Sequence, residues 1–235
     1  TRLTTENDPR GLVNYDITEE PVAAVGTTGG SSQFDNFFPW KGMEEYNIDN
    51  GTVIAKQGDD NFSRTLYDTM VWVPEFWYYI QVDGDYIRYY ISSEMRSGFT
   101  KHPGSGMYMS RYEASDDSGY GSKSGKAPKT GITRATARTN ATAKGDGWRQ
   151  DDFAAYCARC LLYLVEFADF NSQAKLGNGW TSETAATNTG GTDSMLYHTG
   201  RPDGENGHTA VQYRHIENPF GKVFTWVDGI NMNNE

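Results

Sequence analysis

The chain has 235 residues and a formal net charge of −10 at pH 7, with an isoelectric point near 4.9. That length suits one large domain or two small ones. The acidic balance argues against nucleic acid or an anionic bilayer as a partner, because both are themselves negative. No apolar run approaches the ~20 residues of a membrane-spanning helix, so membrane insertion is not expected.

Residues 1–33 are polar and punctuated by Asn7-Asp8-Pro9, Glu20-Pro21 and a Gly/Ser run from Gly26 to Ser32. They read as an extended N-terminal arm with little regular structure, set apart from a main domain over residues 34–235. Phe34 to Trp40 (FDNFFPW) gathers rings around a proline and would pin that arm to a core. Met43 to Lys56 predicts a strand pair turning at Asp49-Asn50-Gly51, and Met70 to Pro74 a short buried strand. Phe76–Val82 and Asp85–Ile91 flank Asp83-Gly84, a pair suited to a type I′ hairpin turn. Such a turn sets Val82 opposite Asp85, Ile80 opposite Ile87 and Tyr78 opposite Tyr89, with one face nearly all apolar. Met107 to Tyr112 reads as a strand leading into Glu113. Residues 115–131, rich in Ser, Gly and Lys, read as a solvated loop.

Residues 133–144 (TRATARTNATAK) lack Gly and Pro, which predicts a helix stopped by Gly145. The main core helix follows. Asp151 and Asp152 suit its positive end, and Phe153, Cys157, Cys160, Leu161, Leu164 and Ala168 recur at helical spacing up to about Phe170-Asn171. Cys157 and Cys160 are the chain's two cysteines. Three apart on a helix, they cannot join without strain, and no further pair completes a zinc set. They read as small buried residues. Leu176 to Glu205 is a long Gly/Thr/Asn-rich stretch with rings at Trp180 and Tyr197. Loops of that length are commonly functional.

The stretch Ile216 to Asn231 (IENPFGKVFTWVDGIN) concentrates Val223, Phe224, Trp226, Val227 and Ile230 between turn signals. It predicts a short buried strand. Its polar flanks Asn218, Asp228 and Asn231 are then placed beside a ligand surface.

The order of these segments resembles the C-type-lectin-like fold of the sulfatase-modifying-factor (formylglycine-generating) superfamily. The resemblance runs from about residue 34 to residue 231 and rests on Arg111-Tyr112-Glu113-Ala114, Gly147-Trp148 between two helices, and the closing signature. In that signature Asn218, Phe220, Gly221, Val223, Trp226 and Asp228 fit, with Thr225 where Glu is usual. Phe34–Trp40, Met70–Tyr78 and Leu161–Gln173 are similar to a phage branch, related to retroelement-diversified variable proteins. The resemblance implies an α+β, loop-rich fold of short hairpins with two helices. Trp40, Glu113, Trp148, Asn218, Gly221 and Trp226 are then structural signature residues, with Trp226 a core anchor. Family members generally run on past the closing signature, so the resemblance also implies a domain cut short at its C-terminus.

The function so implied is a non-enzymatic binding module of a phage tail or receptor-binding protein, without cofactor. It is placed on the virion or at the bacterial surface and recognises a host surface protein or glycan. Its other partners are tail proteins and copies of itself, a trimer being one form. Candidate ligand-binding residues are Trp180, Tyr197, His198, Arg201, Asp203, Asn206, Tyr213, Asp228, Asn231 and Asn233. Loops on a rigid base vary without loss of the core, and Tyr, Trp, Asn and Ser suit adaptable binding faces. The alternatives are a formylglycine-generating-type oxidase and a purely structural virion protein. Asp203, Glu205 and Asn206 form a weak calcium candidate. His198, His208 and His215 match no metal-ligand spacing.

Overall fold

A computed structural model describes residues 2–8, 11–14, 18–180, 187–204, 209–220 and 223–230. The chain is a mixed α+β, sheet-rich protein with three open sheets and, among the described residues, three α-helices. Its strands are β1 (Arg2–Asp8), β2 (Gly11–Asn14), β3 (Ala24–Val25), β4 (Glu45–Asp49), β5 (Thr52–Lys56), β6 (Asp68–Val73), β7 (Trp77–Asp83), β8 (Tyr86–Ser92), β9 (Thr100–Lys101) and β10 (Met107–Ser110). Helices α1 (Arg134–Thr142), α2 (Phe153–Phe167) and α3 (Ser172–Leu176) follow, then β11 (Gly200–Arg201), β12 (Gln212–Tyr213) and β13 (Ile216–Glu217). The sheets run β2-β1-β8-β7-β9, β10-β6-β4-β5 and β13-β12-β11-β3.

Local chemistry explains several elements directly. Asn50 and Gly51 both take left-handed φ, 47° and 77°, in the turn that joins β4 to β5. This is the type I′ arrangement that Asn-Gly favours. Asp152 caps α2 by accepting from the Ala155 N–H at 2.8 Å, and Ala168 ends it in the left-handed region. Thr133 caps α1 in the same way, through the Thr136 N–H.

Helix α2 buries Ala155, Ala158, Leu161, Leu162 and Val165 against Val71, Val73, Phe76 and Ile91. Trp40 stands in the same core, edge-on to Phe34 with ring centroids 4.6 Å apart, and donates from Nε1 to the Leu162 carbonyl at 3.2 Å. Each large side chain buried this way contributes roughly 1.5–3 kcal/mol.

Five expectations are corrected. First, the arm is woven into the fold. β1 pairs with β8 (Thr4 opposite Tyr90), and β3 lies parallel to β11 with Ala24 opposite Gly200. Without β1, strand β8 would leave a row of unpaired backbone groups. Second, the β7–β8 register is shifted by two residues, setting Asp83 opposite Tyr86 and Tyr78 opposite Ile91. Gly84 has φ 61° while Asp83 stays out of the left-handed region, so Gly84 is the first central residue of the turn, as type II′ requires. An even shift keeps the faces, but Val82 and Ile80 at the far end are exposed.

Third, residues 115–131 are fastened, with Ser115 and Ser122 buried. Ser122 Oγ donates to the Thr69 carbonyl at 2.6 Å, and Gly125 N–H to the Thr189 carbonyl at 2.9 Å. Fourth, α2 is shorter than its apolar spacing. Phe153 is 46% exposed and Cys157 and Cys160 are half-buried free thiols. Fifth, past β13 the closing stretch forms no buried strand. Phe224 is fully exposed and Trp226 is 51% exposed, so Trp226 is no core anchor. The segment is held by polar bonds instead. Gln150 Nε2 donates to the Trp226 carbonyl at 2.6 Å, Trp226 Nε1 to the Ile132 carbonyl at 2.7 Å, and Asp228 N–H to the Asp151 carbonyl at 2.8 Å.

Two buried carboxylates tie distant segments together. Glu166 of α2 accepts from Ser32 Oγ at 2.8 Å, Tyr213 OH at 2.9 Å and Arg214 Nε at 3.1 Å. Glu45 of β4 accepts from Arg64 Nε at 2.9 Å and faces Arg111 Nη1 at 3.1 Å and His215 Nδ1 at 2.9 Å. Arg214 and His215 are the central residues of the β12–β13 turn, both left-handed with φ 47° and 69°.

Two predictions follow from this frame. Arg214→Met strands Glu166 as an uncompensated buried charge and is expected to cost about 3–5 kcal/mol in urea denaturation. Gly200→Ala would put a Cβ 2.1 Å from the Ala24 carbonyl oxygen at φ +135°, and is expected to cost about 3 kcal/mol. Gly119→Ala, whose Cβ would meet nothing closer than 3.6 Å, is the control and should unfold like the parent.

Candidate functional site

A half-open cavity of about 530 Å³ lies between the β10 side of the second sheet, α1, the 143–152 connection and the closing segment. That is the size of a small-ligand site. Met70, Met107 and Met109 supply part of its apolar wall, and Trp148, Phe224 and Trp226 also line it. The cations on its wall are engaged: Lys129 with Asp116, Lys144 with Asp68 at 2.9 Å, Arg149 with Asp152 at 3.0 Å and Arg159 with Asp151 at 2.7 Å. Lys144 also stands 4.5 Å over the Trp148 ring.

Four residues of the wall also bury a polar atom without a protein partner: Asn140 Nδ2, Gln150 Oε1, Arg159 Nε and Asn218 Nδ2. The sense of two of these amides is set by their other ends. Asn218 Oδ1 accepts the Val211 N–H at 3.2 Å, and Gln150 Nε2 serves the Trp226 carbonyl. Asn218 and Gln150 are only 8% and 9% exposed. A buried polar atom left unpaired costs roughly 1–3 kcal/mol, and these four are covered by the protein itself.

The sequence-derived site residues fall into separate places. Tyr197 and His198 stack with centroids 4.0 Å apart, and both reach Asp35, Tyr197 OH at 2.8 Å and His198 Nε2 at 3.1 Å. Tyr213 joins them but is wholly buried on Glu166, so it belongs to the core and to no binding face. Arg201 lies in β11 and Asp203 is an exposed residue just beyond it. Trp180 is half-buried. Asp228 stands apart, in a bidentate pair with Arg138 at 2.6 and 2.8 Å, which holds its carboxyl down to about 2.

Asn206, Asn231 and Asn233, with Glu205, His208 and Gly221, lie outside the described residues. Of the signature residues, Glu113, Trp148, Asn218 and Trp226 line the cavity, while Trp40 is core. Gln150, Asn140 and the three methionines carried no signal in the sequence. Of Asn218, Asp228 and Asn231, all expected beside a ligand surface, Asn218 lines the cavity, Asp228 pairs with Arg138 and Asn231 is outside the described residues. Among the described residues no group of three or more His, Cys, Asp or Glu is set to hold a metal ion.

The buried network has a defined charge state. Burial by itself raises the Asp35 carboxyl, but the His198 bond, the Arg214 charge and the Tyr197 hydroxyl outweigh it and bring it down to about 2. Glu45 behaves alike, with burial outweighed by His215, Arg111 and Arg64, and falls to about 2. Burial presses His198 down to about 4 against the pull of Asp35, so the ring is neutral at pH 7 and Arg214 is the counter-charge. His102, stacked 4.9 Å from Phe76, is also held at about 4 by burial. Comparison of the chain with protein-family models, with curated proteins and with solved structures finds no match.

These directions fix the acid limb of stability. Both histidines bind fewer protons folded than unfolded, so their contribution is complete above the unfolded pKa of 6.5 and is lost as pH falls toward 4. Asp35 and Glu45 then lose theirs as pH falls from about 4 to about 2. Melting temperature is expected to fall in two stages. His102→Asn, which keeps an acceptor near the Gly104 N–H, should flatten the first stage. A melting temperature unchanged between pH 7 and 4 would contradict this.

Proposed function

We propose that this chain is a non-enzymatic ligand-binding module on a C-type-lectin-like scaffold of the sulfatase-modifying-factor type, working in a phage tail on a bacterial surface molecule. The cavity beside the closing segment is the observation that carries the reading. It combines an apolar wall of Met70, Met107 and Met109 with exposed rings at Phe224 and Trp226. Large rings with adaptable polar neighbours are what recognition faces use. In that setting the partners are a host surface protein or glycan, other tail proteins and further copies of the chain.

The binding face moves from the 187–204 loop, whose Thr189, Thr192 and Thr199 are buried, to the mouth of the cavity. Thr192 Oγ1 and N–H, with Gly190 N–H, are committed to Glu217 at 2.8–2.9 Å. For the oxidase alternative, burial raises both thiols, Cys157 and Cys160, on α2. That opposes the thiolate a copper-binding pair needs.

The test is binding of the fluorescently labelled chain to a panel of bacterial cells. Phe224→Ser and Trp226→Ala are each expected to weaken binding about tenfold or more. Phe224 is fully exposed, so Phe224→Ser should leave the melting temperature unchanged, whereas Trp226→Ala also removes the bond to the Ile132 carbonyl and should lower it slightly. Equal binding by parent and variants, or no binding to any cell, would overturn the reading.

A further inference from the structure

Taking the cavity as the binding site, which rests on the reading above, we infer that it receives an organic cation on an apolar stem. A lysine or arginine side chain of a surface protein presents such a group. Charge decides the sign. The four cations of the wall are all in ion pairs, two of them with Asp151 and Asp152 of the same wall. Glu217 accepts from the Gly190 and Thr192 N–H groups, and Glu113 is engaged as well. Among the described residues of the wall, Asp146 is the one charge left without an ion pair.

Asp146 is an exposed residue of the 143–152 connection. An anionic group entering the cavity would be repelled by its carboxylate, and would have to take a cation out of an existing pair. A neutral group would gain nothing from it. A cation gains the attraction and disturbs no pair already made. The net charge of −10 on the whole chain draws cations toward the molecule as well.

The rings favour the same sign. A cation is attracted to the face of an aromatic ring, and to Trp most of all. The wall already uses that attraction once, where Lys144 stands 4.5 Å over Trp148. Trp226 and Phe224 also line the cavity, half and fully exposed. Among the described residues no cation stands over either ring. The methionines decide what carries the charge. Met70, Met107 and Met109 give the wall soft, adaptable apolar surface, and Lys and Arg lay a stem of methylenes on such surface below their charge. An amino sugar holds its ammonium among hydroxyls and has no stem to cover the methionines. That makes it the competing outcome.

The experiment titrates the intact chain with the Nα-acetyl methylamides of lysine, arginine, norleucine and glutamate, and with glucosamine, by protein-observed NMR. Norleucine keeps the stem of lysine and lacks its charge. The lysine and arginine probes are expected to bind about three- to fivefold more tightly than the norleucine probe at low salt. That margin should shrink as salt is raised, because Asp146 is exposed. Asp146→Asn should bring the basic probes down to the level of norleucine. It removes no hydrogen bond or ion pair, so the melting temperature should match the parent's.

Equal affinity for the lysine and norleucine probes overturns the inference, as does a preference for the glutamate probe or for glucosamine. So does an Asp146→Asn variant that binds the basic probes like the parent. If no probe binds while the chain still binds host cells through Phe224 and Trp226, this inference fails and the binding-module reading stands. If cell binding is also absent, both fail.

Discussion

The turn from Tyr213 to Ile216 is the constraint on which the rest of the structure hangs. Two non-glycine residues in succession, Arg214 and His215, hold left-handed backbone, a conformation costing roughly 1–2 kcal/mol per residue. The turn keeps that shape because each side chain ends in a different buried carboxylate. Arg214 goes to Glu166 on α2, and His215 goes to Glu45 on β4. Strain of this kind persists only where the surroundings over-determine it. Here the over-determination joins the long helix, the β4–β6 sheet and the 187–204 loop through one two-residue connection.

Those carboxylates explain why so loop-rich a chain has a fixed shape. Glu45 and Glu166 are almost completely buried, as are Arg111 and Arg214. Desolvating such groups is expensive, and their mutual attraction repays it only when every lone pair is used. Each oxygen of Glu166 has at least one hydrogen-bond donor, and Asp193 receives Arg111 and Ser124. Buried networks of this kind specify one arrangement more than they add stability. They also engage Thr189, Thr192, Asp193, Arg214 and His215.

The opposite situation holds at the cavity. Its closing segment attaches through backbone carbonyls and a few long polar side chains, and keeps its rings outside. The Asp228–Arg138 pair and the parallel bridge between Asp152 and Asp228 fasten the segment at the start of α2. The closing segment is thus secured by polar bonds, with its rings left exposed beside the cavity.

Short-range chemistry in the sequence determined a good deal. Asn50-Gly51 specified its turn, Asp152 its cap, and the uninterrupted 133–144 and 151–167 patterns their helices, because these preferences act between residues at most four apart. Local signals misled where a competing residue was near. Gly84 took the first turn position and moved the β7–β8 register, and the apolar letters of 223–230 read as a buried strand although Phe224 and Trp226 stay exposed. What only the tertiary structure decided depends on distant partners. Arg214 finds Glu166 across 48 residues, and Gln150 finds Trp226 across 76. Whether a buried amide is satisfied is set by such meetings, and one-dimensional spacing carries no trace of them.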